Sequence, residues 1–179
     1  MRQLAGILEQ LADAEHYLFS SADLRAALPG RGEAAFKALL GRARKNGLLR
    51  RVCRGIYLYP RVDYPAGLLL YHTAARLRAH EFNYLSLESA LSDAGLISQI
   101  PMNWITLMST GRSHVVDCGT FGHIEFVHTK KKPAAVAPHL EYDARCRLWR
   151  AVPALALKDM ARARRSLDLV DPEAAREFV

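Results

Sequence analysis

The stretch "SSADLRAALPGRGEAAFKALLGRARKNGLLRRVCRGIYLYP", from Ser20 to Pro60, contains helix signals followed by hairpin signals. Ser20 and Ser21 are candidate N-caps for a short helix ending near Leu28, because a serine hydroxyl accepts hydrogen bonds from free helix amides. A longer helix follows "LPGRG" and stops at Asn46-Gly47. Its apolar residues recur with helical spacing at Phe36, Leu39, Leu40 and Ala43.

A β-hairpin is predicted directly after this helix. The runs "LLRRV" and "IYLY" are rich in β-forming residues, and the glycine of Cys53-Arg54-Gly55 favours a tight turn between them. Side chains alternate along a strand, so one of Arg50 and Arg51 is expected to have a partly buried stem, and the pattern leaves open which one. An amphipathic helix that ends near Asp13 precedes the whole stretch. This order of helices and hairpin predicts an N-terminal winged helix-turn-helix.

The positive charge of the chain is concentrated in the same stretch. The chain has 179 residues and a formal net charge of +7. Residues 31–54 hold eight basic residues and one acid, Glu33, whereas the remainder carries 17 of each sign. The eight candidates for DNA contact are Arg31, Lys37, Arg42, Arg44, Lys45, Arg50, Arg51 and Arg54.

In a winged helix, the second helix of the motif enters the major groove, and the wing reaches phosphates or the minor groove. We therefore expect Arg31, Lys37 and Arg44 to face the groove. The other five basic residues are expected to contact the DNA backbone, where each contact releases counterions and makes binding salt dependent.

The sequence changes character after Pro60, which predicts domains at residues 1–60 and 61–179. Helices are expected from Pro65 to about His80, over "SLESALSDAG", and over "VPALALKDMARARRSL". The runs "WITLMS", "HVVDC" and "HIEFVHT" are β-type. The second domain is therefore predicted to be mixed α/β with a small, mainly antiparallel sheet, which makes the chain an α+β protein.

Cysteine and histidine spacing gives no indication of a metal site or a cofactor. Cys53, Cys118 and Cys146 are far apart and form no CxxC pair, so neither zinc binding nor a disulfide framework is expected. The seven histidines show no metal-binding spacing. No apolar run approaches the roughly 18 residues of a membrane span, and acidic residues occupy the N-terminal segment. A cytoplasmic protein without a membrane partner is expected.

An enzymatic alternative depends on Asp117, Glu125 and Lys130. Two carboxylates and a lysine can hold Mg²⁺ and activate water in a nuclease. The compact acid-x-lysine motif is missing, because Glu125 is followed by Phe126 and Val127, so no catalytic residue is predicted. In "HTKKKP", Lys130 to Lys132 are expected to form a solvated loop or a second phosphate contact.

Three motifs resemble a known family. The Ser20 to Pro60 stretch resembles the N-terminal domain of AbiEi family antitoxins, from type IV toxin-antitoxin systems that act in abortive infection. The motifs "NYLSLESALSDAGLISQIP" and "VPALALKDMA" are similar to the serine-rich helix and the late helix of that family, so the resemblance runs from about Ser20 to Leu167.

The resemblance implies an antitoxin whose winged helix binds inverted repeats in double-stranded promoter DNA and represses its own operon. It also implies that residues 61–179 oppose a nucleotidyltransferase toxin without forming a stable complex with it. A nuclease-like enzyme targeted by the winged helix, and a plain transcriptional regulator, are the alternatives.

Overall fold

A computed structural model of the protein describes residues 1–97 and 103–178, with the backbone alone at Glu177. The chain forms two compact units, Met1–Leu69 and Leu70–Val179. The end of the "NYLSLESALSDAGLISQIP" motif, residues 98–101, lies outside the described residues. The division of function between residues 1–60 and 61–179 stays a prediction.

The first unit has the element order of a winged helix-turn-helix. Its helices and strands are α1 (Arg2–Leu11), β1 (Leu18–Ser20), α2 (Ser21–Ala26), α3 (Glu33–Lys45), β2 (Arg50–Cys53) and β3 (Ile56–Leu58). The strands form an antiparallel sheet in the order β1-β3-β2. The predicted helices and hairpin are confirmed. Strand β1 is an addition, which pairs Leu18 with Leu58.

Local signals in the sequence set the helix ends of this unit. The Ser20 hydroxyl accepts a hydrogen bond from the Asp23 amide at 3.0 Å, and the Asp23 carboxylate accepts one from the Ser20 amide at 2.8 Å. This reciprocal capping box begins α2. Helix α3 ends before Gly47, whose φ of +68° is a conformation that glycine adopts without strain. The buried side chains of the helix pack into the core of the unit at Phe36, Leu39, Leu40 and Ala43.

The second unit is built on a six-stranded mixed sheet. Its helices are α4 (Leu69–Leu77), α5 (Leu87–Asp93), α6 (Pro133–Val136), α7 (Pro153–Arg162) and α8 (Pro172–Ala175). Its strands are β4 (Asn83–Leu85), β5 (Trp104–Ser109), β6 (His114–Asp117), β7 (His123–His128), β8 (Leu140–Asp143) and β9 (Leu148–Ala151). The sheet order is β6-β7-β5-β4-β9-β8.

The α+β class is confirmed, and three of the five strand pairings in this sheet are antiparallel. The pairs β5–β7 and β4–β9 are parallel. The three β-type runs of the sequence form β5, β6 and β7, whereas β4, β8 and β9 were not predicted. The sheet is therefore twice as wide as the sequence patterns indicated.

A buried polar cluster lies in the core of the second unit. Asp159 of α7 is fully buried, and its carboxylate accepts hydrogen bonds from the Tyr84 hydroxyl at 3.0 Å and the Ser86 hydroxyl at 2.8 Å. The Lys131 ammonium donates a third bond to it at 2.7 Å. The prediction of a solvated loop is therefore wrong for Lys131, because its charge is needed beside a buried carboxylate, while Lys130 and Lys132 are exposed. The cluster joins polar residues of the two C-terminal family motifs.

Candidate nucleic-acid interface

Helix α3 presents small side chains on its outer side. Phe36 and Leu40 fix the buried side of the helix, and the helical repeat places Ala34, Ala38 and Gly41 on the opposite side. Both alanines are exposed. The first half of the helix therefore has a shallow outer surface that another molecule can approach closely. A prediction based on charge alone misses this shallow surface. The spacing of the small residues Ala34, Ala38 and Gly41, which are four and three positions apart, indicates it.

Seven of the eight predicted DNA-contacting residues are exposed: Lys37, Arg42, Arg44, Lys45, Arg50, Arg51 and Arg54. The eighth, Arg31, is half-buried, and its guanidinium donates a hydrogen bond to the Gln3 side-chain oxygen at 2.8 Å. The Lys37 ammonium lies 3.3 Å from the carboxylate of Glu33, one turn earlier in α3. The structure thus brings the basic residues of α3 and the hairpin to the surface of one small unit, with Arg31 held against α1.

The hairpin exposes both of its strand arginines. Arg50 is paired with Leu58 and Arg51 with Tyr57, so the two arginines lie on opposite faces of the sheet. A bulge between Arg51 and Cys53 interrupts the register. Both residues are exposed at this end of the strand, and Arg51 Nε donates a hydrogen bond to the Cys53 carbonyl at 3.2 Å. The expectation that one of the two arginine stems is partly buried stays a prediction.

The hairpin turn is attached to the start of α2. Gly55 has a φ of +84°, as the predicted turn requires. Its carbonyl accepts hydrogen bonds from the Ser21 amide at 2.8 Å and from the Ser21 hydroxyl at 3.4 Å. These bonds fix the hairpin turn, and with it the exposed Arg54, relative to the helix-turn-helix.

The two carboxylates of the nuclease hypothesis have structural partners. Asp117 and Glu125 lie on the adjacent strands β6 and β7, and Lys130 follows β7. The Glu125 carboxylate accepts hydrogen bonds from the Trp104 indole at 3.3 Å and from Arg165. The Asp117 carboxylate accepts one from the Gly119 amide at 2.7 Å. Both carboxylates therefore already stabilise the fold.

Residues 1–97 and 103–178 contain neither a cluster of metal-ligating side chains nor a membrane-spanning helix. No group of three or more His, Cys, Asp or Glu side chains within these ranges is placed to hold a metal ion. No helix within them has both the length and the apolar character needed to cross a membrane.

Arg150 of the second unit is held by two carboxylates. Arg150 donates a hydrogen bond to the Asp143 carboxylate at 2.8 Å and also contacts Asp93. The bond from Arg150 lowers the pKa of Asp143 to about 2. Burial, together with the nearby Asp143 carboxylate, raises the pKa of the Cys146 thiol to about 12, which makes this cysteine unreactive at neutral pH.

The first unit is a winged helix-turn-helix, a class that transcriptional regulators use to bind DNA. Residues 7–60 match the family model described as "Transcriptional regulator, AbiEi antitoxin". The resemblance to AbiEi antitoxins is therefore confirmed over these residues.

The fold is similar to that of a solved structure, the RV2827C protein from Mycobacterium tuberculosis, with a TM-score of 0.52 and 17% sequence identity. The similarity covers 97% of this chain and 57% of that chain, so it extends the shared fold well beyond residues 7–60. The chain thus spans little more than half the length of that protein. No curated protein sequence matches the chain significantly.

Proposed function

We propose that this protein is a type IV antitoxin that binds promoter DNA through residues 1–60 and represses its own operon. One observation carries the proposal: a winged helix that matches the AbiEi family model exposes seven basic side chains on α3 and the hairpin. Such a surface neutralises phosphates and releases counterions. The family match favours a regulator over an enzyme.

In this proposal, the small outer side of α3 lies in the major groove. Ala34 and Ala38 allow the helix backbone to approach the base edges, and alanine methyl groups make apolar contacts with thymine methyls. Lys37 lies on the flank of this surface and reaches a base edge or a phosphate. Arg31 supports the entry to α3 through Gln3 instead of reading a base directly.

The hairpin acts as the wing. Since Arg50 and Arg51 point to opposite faces of the sheet, they contact DNA groups on either side of the hairpin, and Arg54 extends the contact at the turn. Inverted repeats in the promoter would bind two copies of the protein, because a two-fold operator matches two identical modules.

The remaining part of the proposal concerns residues 61–179. They oppose a nucleotidyltransferase toxin in the cytoplasm without forming a stable complex. Co-expression with the toxin tests this division: the full chain is expected to restore growth, whereas residues 1–69 alone are not. Growth restored by residues 1–69 would contradict the assignment.

A salt titration tests the DNA-binding proposal. The triple variant Arg50→Ala, Arg51→Ala, Arg54→Ala is expected to weaken operator binding and to reduce the slope of log K against log salt by about 0.9 for each lost phosphate contact, up to about three contacts. The matched control replaces Arg112, Arg162 and Arg164, which are exposed in the second unit, with alanine and changes the net charge equally. If the slope of log K against log salt is the same for the wing variant and the control, the hairpin is not part of the DNA interface.

A further inference from the structure

The second unit has a cavity of about 210 Å³ that the proposed DNA interface does not use. It lies beside the end of α4, the start of β4 and the β8–β9 hairpin. Its lining includes Asn83, Tyr142, Arg147 and Trp149. Three properties of these residues point to one kind of ligand.

The first property is an ordered pair of exposed aromatic rings. Tyr142 is 56% exposed and Trp149 is 43% exposed. The two residues are direct partners in the β8–β9 pairing, and their ring centroids are 5.3 Å apart with an interplanar angle of 63°. The strand pairing fixes the positions of the two residues, so they offer a rigid apolar surface for a planar group.

The second property is a cation without an acidic partner. Arg147 is half-buried beside the cavity, in the turn before β9, and its backbone adopts the left-handed conformation with a φ of +59°. No carboxylate within residues 1–97 and 103–178 pairs with it. Arg78, which also lines the cavity, is in contrast fully engaged by Glu81, Ser109 and the Phe126 ring. Arg147 is thus available to an anionic group.

The third property is a buried acceptor without a donor. Asn83 is 8% exposed, and its side-chain nitrogen donates hydrogen bonds to the carbonyls of Arg78 at 2.8 Å and Glu81 at 2.7 Å. Its side-chain oxygen has no hydrogen-bond partner among the described residues. The amide cannot rotate to satisfy this oxygen without losing both donated bonds, so the oxygen is a shielded acceptor that an N–H from a bound ligand would satisfy.

We propose that this cavity binds one unpaired nucleobase, with the attached phosphate on Arg147. The base stacks on Trp149 beside Tyr142, and a base N–H donates to the Asn83 oxygen. A volume of about 210 Å³ is below the roughly 300–1,000 Å³ of drug-sized pockets, which suits a single base with its phosphate outside. Two aromatic residues present far less area than the roughly 800 Å² per partner of a stable protein interface, which favours the nucleotide over a protein partner.

Fluorescence of Trp149 can test the proposal, because the chain contains only two tryptophans. Trp104→Phe leaves Trp149 as the only tryptophan, whose fluorescence is excited selectively over that of the seven tyrosines. The triple wing variant serves as background to weaken binding by the first unit. The probes are adenosine and cytidine monophosphate, a short single-stranded oligonucleotide, its duplex and inorganic phosphate. We expect saturable quenching by the unpaired bases, and Arg147→Ala is expected to weaken binding about tenfold or more. Saturation by mononucleotides would identify a free nucleotide as ligand, and saturation by the oligonucleotide alone would identify a single strand.

The controls separate stacking from general charge. Trp149→Phe leaves Trp104, whose fluorescence should not respond, and Arg145→Ala removes an exposed neighbouring arginine that does not line the cavity. Four results would each overturn the proposal. They are no quenching by any nucleotide, quenching by inorganic phosphate as strong as that by a mononucleotide, affinity for the duplex equal to that for the single-stranded oligonucleotide, and an affinity for the unpaired bases that Arg147→Ala leaves unchanged. The proposal would also be overturned if the protein self-associates, loses this self-association in Trp149→Ala and shows no response to nucleotides. The aromatic pair would then form a contact between copies of the chain. Circular dichroism of each variant confirms that it is folded.

Discussion

The two units use arginine and lysine in contrasting ways. In the first unit, residues 31–54 place eight basic residues around one acid, and seven of the eight are exposed. In the second unit, the basic residues Lys131, Arg150 and Arg165 each contact a carboxylate that is largely shielded from water. The same residue types are therefore exposed to solvent on α3 and the hairpin, and they are held in ion pairs at these three positions of the second unit.

The difference follows from the cost of removing charge from water. An exposed cation keeps its hydration and gains energy when it meets a polyanion. A buried ion loses several kcal/mol of hydration free energy, so it needs an oppositely charged or hydrogen-bonding partner. Net charge alone does not distinguish the two situations, whereas the partner of each side chain does.

The largest expected effect is on the buried pair of the second unit. Asp159→Ala leaves Lys131 without its partner and breaks the bonds from Tyr84 and Ser86, so the free energy of unfolding should fall by about 3–5 kcal/mol. Urea denaturation measures this loss. Lys158→Ala, at the exposed neighbouring position, should change stability by less than about 0.5 kcal/mol. Equal stability of the two variants would break the contrast between the units.

A charge on the outer side of α3 should affect binding and leave stability unchanged. Ala38→Glu places a carboxylate against DNA phosphates, and like-charge juxtaposition costs several kcal/mol, so operator affinity should fall by about 2–3 kcal/mol. Gel-shift or anisotropy titration gives the affinity. Ala161→Glu adds the same charge at an exposed site of α7 and is the matched control. If both variants bind operator DNA equally well, the outer side of α3 does not face the groove.

The Asp143–Arg150 pair predicts a dependence of stability on pH. The pKa of Asp143 is about 2 in the folded protein, against an ordinary value of 3.8, so its ionised form stabilises the fold above pH 4 and this stabilisation is lost as the pH falls through 2. Asp143→Asn should therefore cost about 1–2 kcal/mol at pH 7 and much less near pH 2. Urea denaturation at both pH values measures the difference. A cost that stays constant with pH would show that the pair contributes through packing alone.

Local signals predicted the helices and the wing hairpin, and non-local pairing accounts for two of the strands that were missed, β1 and β4. The serine caps, Asn46-Gly47 and Gly55 act over a few residues, so their effects can be read from the sequence. Strands β1 and β4 have three residues each, and their partners are distant in sequence: Leu18 pairs with Leu58, and Tyr84 pairs with Met108 on one side and Trp149 on the other. A three-residue run carries too little periodicity to be distinguished from a loop.

The candidate site was predictable in its charges but not in their partners. Clustering of basic residues predicted eight DNA contacts, which stay a prediction, and seven of these eight side chains are exposed. The contact of Arg31 with Gln3 joins residues 28 positions apart, and the same separation divides Lys131 from Asp159. Such pairs depend on how helices and strands pack, which residue spacing does not specify. The small outer side of α3 was readable from Ala34 and Ala38.

The smallest effect concerns the single acid among the basic residues. The Glu33 carboxylate lies 3.3 Å from the Lys37 ammonium and 3.2 Å from the Arg25 guanidinium, and all three side chains are exposed enough that each pair contributes little to stability. Glu33→Gln removes a charge that repels phosphate and frees Lys37, so operator affinity should rise by about 0.5 kcal/mol, roughly twofold. Glu141→Gln, exposed on β8, is the control. Weaker operator binding by Glu33→Gln would contradict the interpretation that Glu33 repels phosphate. A glutamate at a groove-facing helix start can accept a hydrogen bond from a cytosine amino group, so Glu33 would then read a base.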